Sequence, residues 1–353
     1  MIENPLESSQ LASLENDLAQ NHLSPPTSLD VARLAKVSRA TVSYVLNDVP
    51  NARISEATKE RVRKAAEMLG YVPHEIASSL RSGHSDLVLL PFFDWPYNPS
   101  SIAFLQGLAQ QLDQKGYTVM LRYFGQRGKT SLVRKIAAFR PIGVIVGAEE
   151  FTQADVEFLT RNGVKAVLAY GWSPNVTIPT IGFDFSVVGE CVGQHFLSQG
   201  HRKIAAIVPR DKRILNLGLQ RLEGLAKAAR KEGIQVERVD IGYDLREAAA
   251  LAEKWNQGPR PSAVFTYNDD YGLMLMSALQ DLGMEIPQDI ALVGCDDLPL
   301  CEMIRPRLTS VNLGSGAPSR EIVAYIDDMI QGRVNQDSPR MHRACKLILR
   351  DSG

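Results

Sequence analysis

The segment 38–47, SRATVSYVLN, brings a guanidinium group, several hydroxyl groups and a small apolar side chain together on one predicted helix. Val42 and Val45 form the apolar stripe of that helix, so the residues around its N-terminal end point outward. An arginine there can pair with guanine or a phosphate, hydroxyl groups suit phosphates, and an alanine can touch a thymine methyl group. These types in this arrangement indicate contacts with DNA. The candidates are Ser38, Arg39, Ala40, Thr41, Ser43 and Tyr44.

Two short helices must position this set. In residues 28–47, Ala32 and Ala35 lie on the apolar stripe of a first helix, a short turn follows, and Ser38 is a suitable N-cap for the second helix. Helices joined by so short a turn must cross steeply, and small residues allow the close approach. The pattern predicts a helix-turn-helix whose second helix enters the major groove. Alanine-rich helix pairs also occur in ordinary bundles, so this motif alone leaves both interpretations open.

Charge separates the start of the chain into two parts. Residues 1–26 carry four acidic and no basic residues, which predicts an acidic, disordered tail. Residues 27–84 carry nine basic and six acidic residues, and a third helix is predicted over 54–73 with Ser55 as its N-cap. The whole chain has a net charge of -1, so any nucleic-acid binding must come from a local patch. The basic residues of the third helix are Lys59, Arg61, Arg63 and Lys64.

Several other classes of protein and site are not expected. The four cysteines are scattered and form no CxxC, the chain has no apolar run of about 18 residues, and MIENPLESSQ lacks the features of a signal peptide. A cytoplasmic protein is therefore expected. GQRGKTS (125–131) has too few residues between its glycines for a phosphate loop, and Cys191 with His195 gives too few ligands for a metal. We expect no cofactor, no metal and no enzyme activity.

From residue 86 onward, apolar strand-like runs alternate with amphipathic helical windows. This alternation predicts a parallel sheet covered on both faces, and about 270 residues of it favour two α/β lobes over one. The predicted strands are 87–90, 118–124, 143–147, 164–170, 203–208, 263–267 and 290–294, and the helical windows include 101–116, 187–200, 217–233 and 271–283.

Three stretches of the sequence match the pattern of a known family. They read DVARLAKVSRATVSYVLN (30–47), SEATKERV (55–62) and AAEMLGYVPHEIASSLRSG (65–83). The chain resembles the LacI/GalR family of transcriptional regulators from Ser28 to about Arg350. The resemblance implies an all-α helix-turn-helix domain followed by an α/β two-lobed periplasmic-binding-protein-like domain. It also implies further strands near 181–185, 308–313 and 345–350.

The resemblance also implies a hinge helix at 74–82 that folds on DNA. Leu80 matches the leucine that wedges into the minor groove, and Ala77 matches the small residue that lets two hinge helices approach.

Two residues of the DNA-binding region depart from the family pattern. Lys36 occupies a turn position that usually holds Gly, where a left-handed backbone would cost about 1 kcal/mol, and Tyr44 replaces a common Arg, so no guanine contact is carried over to it. The further DNA-binding candidates are Asn47, Ala77, Leu80 and Arg81.

Four pocket positions follow from the same resemblance. They are Asp184 in IGFDF, Arg221 in LQRLEG, Asn268 in YNDD and Asp296 in VGCDD. Carboxylates accept hydrogen bonds from vicinal hydroxyl groups, arginine donates a fork of hydrogen bonds and asparagine does both, which suits a hydroxylated ligand. Each Asp or Asn could instead cap the helix that follows its strand.

Contacts from the first lobe are harder to assign. The loop PFFDWPYNP (91–99) replaces a more common family loop. Asp94, Tyr97 and Trp172 are candidates for contact with an effector. All three could instead belong to loops that are packed against the protein. Phe185 stands where the family usually has Asn, which weakens the case for a typical sugar ligand.

Taken together, the residues and the resemblance predict a homodimeric regulator, most simply a repressor, that binds a palindromic operator in double-stranded DNA. A small polar, sugar-like metabolite is expected to control it. The alternatives are a regulator of the same fold that senses a protein partner or no ligand, and a cytoplasmic solute-binding protein. The expected division of the chain is tail 1–26, helix-turn-helix domain 27–73, hinge helix and linker 74–85, and effector-binding and dimerisation domain 86–353.

Overall fold

The computed structural model of the chain divides into two compact units, Met1–Ser85 and Asp86–Gly353. The structure describes residues 25–46, 53–72, 85–96, 98–124, 129–147, 151–171, 178–314, 316–333, 340–342 and 345–353. The predictions for the acidic tail, for Asn47 and for the hinge residues Ala77, Leu80 and Arg81 lie outside these ranges, as do those for Tyr97 and Trp172.

The described part of the first unit is built from three helices: α1 (Ser28–Ala35), α2 (Arg39–Leu46) and α3 (Glu56–Leu69). At the start of α1 the Asp30 carboxylate accepts hydrogen bonds from the backbone N–H and the hydroxyl group of Thr27, at 2.9 and 2.6 Å. The helix ends at Lys36, whose φ of 52° is left-handed. The turn therefore has the conformation that usually selects Gly, and Lys36 adopts it at a cost.

A small apolar core holds these helices together. Val31, Val42 and Val62, one from each helix, are all buried. The small side chains of Ala32 and Ala35 on α1 and of Ala65 and Ala66 on α3 complete the core. The predicted alanine-mediated helix contact is thus present.

Two six-stranded sheets form the second unit, with strand orders β11-β5-β4-β3-β1-β2 and β12-β10-β9-β8-β6-β7. All neighbours are parallel except β10 and β12. The strands are β1 (Leu87–Phe92), β2 (Thr118–Tyr123), β3 (Gly143–Gly147), β4 (Ala166–Tyr170), β5 (Thr180–Phe183), β6 (Ile204–Pro209), β7 (Val236–Ile241), β8 (Ala263–Phe265), β9 (Ala291–Cys295), β10 (Thr309–Asn312), β11 (Arg340–His342) and β12 (Lys346–Ile348).

The central strands of each sheet are buried on both faces, because alternate residues of one strand belong to different apolar clusters. On β1, Val88 and Leu90 pack in one cluster while Leu89 packs in another. The helices that cover the sheets are α4 (Pro99–Gln114), α5 (Lys129–Ala137), α6 (Gln153–Arg161), α7 (Ser186–Ser198), α8 (Leu215–Arg230), α9 (Leu245–Gln257), α10 (Asp269–Asp281), α11 (Leu300–Met303) and α12 (Gly316–Ile330).

Each sheet with its helices is one lobe, and the described chain passes between the lobes after β5, after β10 and after β11. The predicted fold class, an all-α helix-turn-helix domain plus a two-lobed α/β domain, is confirmed. Strands β7, VERVDI, and β11, RMH, were not among the predicted strands. The position of β7 at a sheet edge leaves its charged side chains exposed and interrupts the apolar run. Within the described residues, no helix has the length and apolar character needed to span a bilayer.

Candidate functional site

The first turn of α2 presents the side chains predicted to contact DNA. Arg39 and Ala40 are exposed, and Tyr44, one turn further on, is 50% exposed. Thr41 and Ser43 are only half-buried. Because Val42 and Val45 point into the core, these side chains share the outward face of α2.

Two of the predicted DNA contacts also hold the helix in place. Ser38 Oγ accepts a hydrogen bond from the backbone N–H of Thr41 at 3.1 Å, and the two hydroxyl oxygens are 2.9 Å apart. Ser38 is therefore the N-cap that the sequence predicted. Its hydroxyl group and that of Thr41 can still meet a phosphate, but they are already positioned by each other.

Helix α3 adds positive charge to the same unit. Arg61, Arg63 and Lys64 are exposed, whereas Lys59 pairs with Glu56 at 2.7 Å. The N-cap is Ser55, which accepts a hydrogen bond from the Thr58 N–H at 3.3 Å. The predicted third helix and its cap are thus present, and Lys59 is engaged in an ion pair within it.

In the second unit, three of the four predicted pocket residues meet at the carboxyl ends of β6, β8 and β9. Arg221 is 4% exposed, its guanidinium Nη1 donates to the carbonyl oxygen of Tyr267, and its Nη2 lies 3.9 Å from Asp296 Oδ1. The guanidinium carbon is 4.7 Å from the ring centre of Tyr267 and 5.6 Å from that of Phe185. The cation thus packs against two aromatic rings, beside a carboxylate.

Asp296 lies in a strained loop and faces the other lobe. Its φ is 107° and that of Asp297 is 53°, both in the left-handed region that ordinary residues avoid. The amide of Asn98, in the first lobe, donates to Asp296 Oδ2 at 2.6 Å. Burial raises the pKa of Asp296, while Arg221 and Asn98 act in the opposite direction. This contact joins the two lobes across the cleft.

A second buried carboxylate, that of Asp269, forms hydrogen bonds that hold the loop carrying Asp296 in place. Asp269 is fully buried; one of its oxygens accepts from Ser310 Oγ at 2.6 Å and the other from the Leu298 N–H at 2.8 Å. Burial raises the pKa of Asp269 to about 7. Asp269 therefore fixes the position of the loop that carries Asp296.

Asn268 carries out the capping role that the sequence left open, whereas the N-cap of α7 is Phe185 and Asp184 bonds to the first residue of that helix. Asn268 is the N-cap of α10 and accepts from the Tyr271 N–H at 3.1 Å, while its amide interacts with Asp270 and Asp296. Asp184 accepts from the backbone N–H and the hydroxyl group of Ser186 at the start of α7, at 3.1 and 2.5 Å. Capping does not exclude ligand contact, because each side chain retains further donor or acceptor capacity.

Asp94 lies at a second contact between the lobes. Its carboxylate is 3.0 Å from Arg213 Nη1, and Arg213 is itself oriented by Asp211 at 2.5 Å. The neighbouring Trp95 packs against the apolar cluster of the second lobe. The loop around Asp94 is thus packed across the cleft, one of the two interpretations that the sequence allowed.

Sequence reasoning missed Asn98 and Asp269. An Asn-Pro pair just before a helical window is the signature of an N-cap followed by Pro at the first helical position, and Asn98 caps α4 in this way. Nothing local indicated that its amide would reach Asp296. Asp269 follows Asn268 in YNDD, but its burial depends on the loop that folds over it.

Comparison with known proteins decides the family. Residues 27–74 match "Bacterial regulatory proteins, lacI family", and residues 194–353 match "Periplasmic binding protein-like domain". The "HTH-type transcriptional repressor PurR" of Vibrio vulnificus is 30% identical over 335 residues, covering 92% of this chain and 97% of that protein. The chain belongs to the lacI family of bacterial regulatory proteins.

Solved structures agree with this assignment. The "transcriptional regulator CelR-cellobiose complex" has 27% identity and a TM-score of 0.64, covering 93% of this chain and 100% of that one. The lac repressor dimer bound to operator and the anti-inducer ONPF shares the fold, with 24% identity, a TM-score of 0.79 and coverage of 93% and 99%. The similar proteins of this lacI-family chain are transcriptional regulators rather than enzymes.

Proposed function

We propose that this lacI-family chain is a homodimeric, cytoplasmic repressor that binds a palindromic operator through α2 and is controlled by a small polar, sugar-like effector bound between its two lobes. The observation that carries the proposal is the convergence of Arg221, Asn268 and Asp296 with Asn98 of the opposite lobe. A ligand that meets these groups contacts both lobes at once, and can therefore change their relative position.

The described helices α1 to α3 of the first unit, which we call the head, support the DNA-binding part of the proposal. Arg39, Ala40 and Tyr44 share an exposed face on a helix whose opposite face is fixed in a core. Ser38, Thr41, Ser43 and the cations of α3 supply further phosphate contacts. We assign Asn47 and Arg81 to the same interface, and Ala77 and Leu80 to a hinge helix within 74–85 that inserts into the minor groove.

The cleft supports a polar ligand with hydroxyl groups. Nε of Arg221 is buried and has no hydrogen-bond partner among the described residues, so it can donate to an acceptor on a ligand. Asp296 and Asp184 offer carboxylate oxygens, and Asn268 offers an amide. We keep Asp94, Tyr97 and Trp172 as candidate contacts from the first lobe. The similar CelR regulator, which is in complex with cellobiose, is consistent with a sugar-like ligand for this chain.

Exposed apolar side chains support a dimer. Leu121 and Tyr123 of β2 are 52% and 57% exposed, and in the second lobe Leu245 and Met303 are 67% and 70% exposed. Large apolar side chains at these positions gain from burial against a second copy of the chain. The lac repressor structure, which has the same fold, is a dimer.

The direct test is selection of duplexes from a random library by the purified full chain, followed by mobility-shift assays. We expect an inverted repeat to be enriched and its affinity to fall steeply as salt is raised. Leu80→Ala should weaken binding to the selected repeat more than binding to random duplex. Recovery of no repeat, or equal weakening of both, contradicts the proposed mode of DNA binding.

The contacts between the lobes favour a second candidate, a regulator that needs no small ligand. Asn98 with Asp296 and Asp94 with Arg213 already join the lobes through protein side chains. A thermal-shift screen with sugars, sugar phosphates and nucleosides separates the two candidates. A hit that is lost in Arg221→Ala, while that variant still melts cooperatively and binds the repeat, supports the effector site. No hit from any class, with binding to the repeat intact, supports the second candidate.

A further inference from the structure

Two cysteines lie in the second lobe, each just after the chain has crossed from the first. Cys191 is on α7, which follows β5 of the first lobe, and Cys345 immediately precedes β12, which follows β11 of the first lobe. Both thiols are half-buried, whereas Cys295 and Cys301 are buried. Only the first pair is therefore placed both to meet an oxidant and to link two connections between the lobes.

Cys345 lies against the turn of α7 that precedes Cys191. Its Sγ is 3.8 Å from the carbonyl oxygen of Val187, which is four residues before Cys191 on the same helix. The Cys191 thiol interacts with the Cys345 side chain and with the backbone of Leu347. These two interactions lower the pKa of Cys191 to about 7, so a large fraction of it is thiolate at neutral pH.

The other two cysteines differ in reactivity. Burial raises the pKa of Cys295 and of Cys301, so both remain protonated at neutral pH. A protonated thiol without access to solvent reacts slowly with oxidants. Cys295 and Cys301 can therefore serve as slowly reacting controls when the reactivity of Cys191 and Cys345 is measured.

We propose that Cys191 and Cys345 are a redox-sensitive pair that a hydroperoxide converts into an intramolecular disulfide. The Cys191 thiolate attacks the peroxide, its sulfur is oxidised to sulfenic acid, and the O–O bond breaks to release the reduced oxygen as water or alcohol. The Cys345 sulfur then attacks the Cys191 sulfur, the S–S bond forms, and the sulfenic hydroxyl group leaves as water with the proton of Cys345. A dithiol such as reduced thioredoxin reverses the reaction.

The proposed disulfide would act on the connections between the two lobes. The disulfide ties the segment that enters β12 to helix α7, and so fixes two of the three described passes between the lobes to each other. Relative movement of lobes bends such connections. Oxidation therefore restrains the movement through which the cleft acts on the rest of the protein.

Peptide mapping of the full chain tests the pair directly. The protein is reduced, treated with hydrogen peroxide and digested without reductant. We expect one linked peptide joining Cys191 and Cys345, with a mass lower by two hydrogen atoms, which dithiothreitol reverses. The variants Cys191→Ser and Cys345→Ser should lack it, while the control Cys301→Ala should retain it.

Two results overturn the proposal: free Cys191 and Cys345 after peroxide treatment, or oxidation of Cys191 to sulfinic acid without a linked peptide. If a serine variant does not fold, alkylation of the wild-type protein gives the same decision. Iodoacetamide should modify Cys191 faster than Cys295 and Cys301, and peroxide treatment should protect Cys191 and Cys345 together. Neither readout uses DNA or an effector, so failure of the pair is distinguishable from failure of the proposed function.

Discussion

The head around α2 and the cleft of the second unit arrange their candidate functional groups in opposite ways. On α2, Arg39 and Tyr44 are exposed and the core is made by other residues, Val42 and Val45. In the cleft, Arg221 and Asp296 are themselves buried and bound to neighbouring groups. Function and stability are therefore separable in the head and coupled in the cleft, and five substitutions test this difference.

The largest effect is expected for Arg221→Ala. The substitution leaves Asp296 buried beside no cation, which costs about 3–5 kcal/mol in the free energy of unfolding. Urea denaturation followed by circular dichroism measures it. The matched control is Arg213→Ala at the exposed pair with Asp94, for which we expect less than about 1 kcal/mol. Equal losses in the two variants would show that the cleft pair is not coupled to stability.

Asp269 predicts a dependence of stability on pH. Its pKa is about 7 in the folded state against an ordinary value of 3.8, so the folded state retains a proton that the unfolded state has lost. This contribution to stability is greatest below about pH 4 and is lost as pH rises through 7, amounting to about 2–4 kcal/mol. The measurement is the difference in unfolding free energy between wild type and Asp269→Asn from pH 4 to 8. A constant difference across that range would be the contrary result.

The next largest loss of stability is expected from a substitution where α7 and α8 are in close contact. A Cβ atom at Gly224 would overlap the carbonyl oxygen of Ser186, and backbone cannot move aside as a side chain can. Gly224→Ala should therefore cost about 1–3 kcal/mol or more and displace Arg221, which lies on the same helix. Gly258→Ala is the control, because a Cβ atom there meets only Lys254 O at 3.4 Å. Similar melting temperatures for the two variants would refute this account.

In the head, Arg39→Ala should act on binding alone. Loss of its contacts should lower affinity for the selected duplex about 10–100-fold, which corresponds to about 1–3 kcal/mol. The free energy of unfolding should change by less than about 0.5 kcal/mol, because the side chain is exposed. Fluorescence anisotropy and urea denaturation give the two values. A destabilised variant would remove the distinction between head and cleft.

The smallest effect is a gain in stability. Lys36 has a φ of 52°, so Lys36→Gly should raise the unfolding free energy of the head by about 0.5–1 kcal/mol. Lys36→Ala keeps the strain and should bring no gain. Thermal denaturation of the three proteins measures the differences. A lower melting temperature for the glycine variant would mean that the turn is not strained by Lys36.

How far the sequence predicted the structure differs between the same two regions. The caps Ser38 and Ser55, the stripe of Ala32 and Ala35, and most strands were predictable because they depend on neighbours in sequence. Edge strand β7 was not, since its exposed charges hide the apolar pattern. In the cleft the sequence suggested Asp296, but not that Asn98 would reach it.

By itself the sequence determined the helix-turn-helix, the alternation of strands and helices, and the family. These properties rest on periodicity and on short motifs, which local backbone preferences fix. Only the tertiary structure decided that Asn98 meets Asp296, that Asp94 pairs with Arg213, and that Cys345 lies against the helix turn before Cys191. Each of these contacts joins residues more than a hundred positions apart, and such pairs are set by how the two sheets and their connections pack.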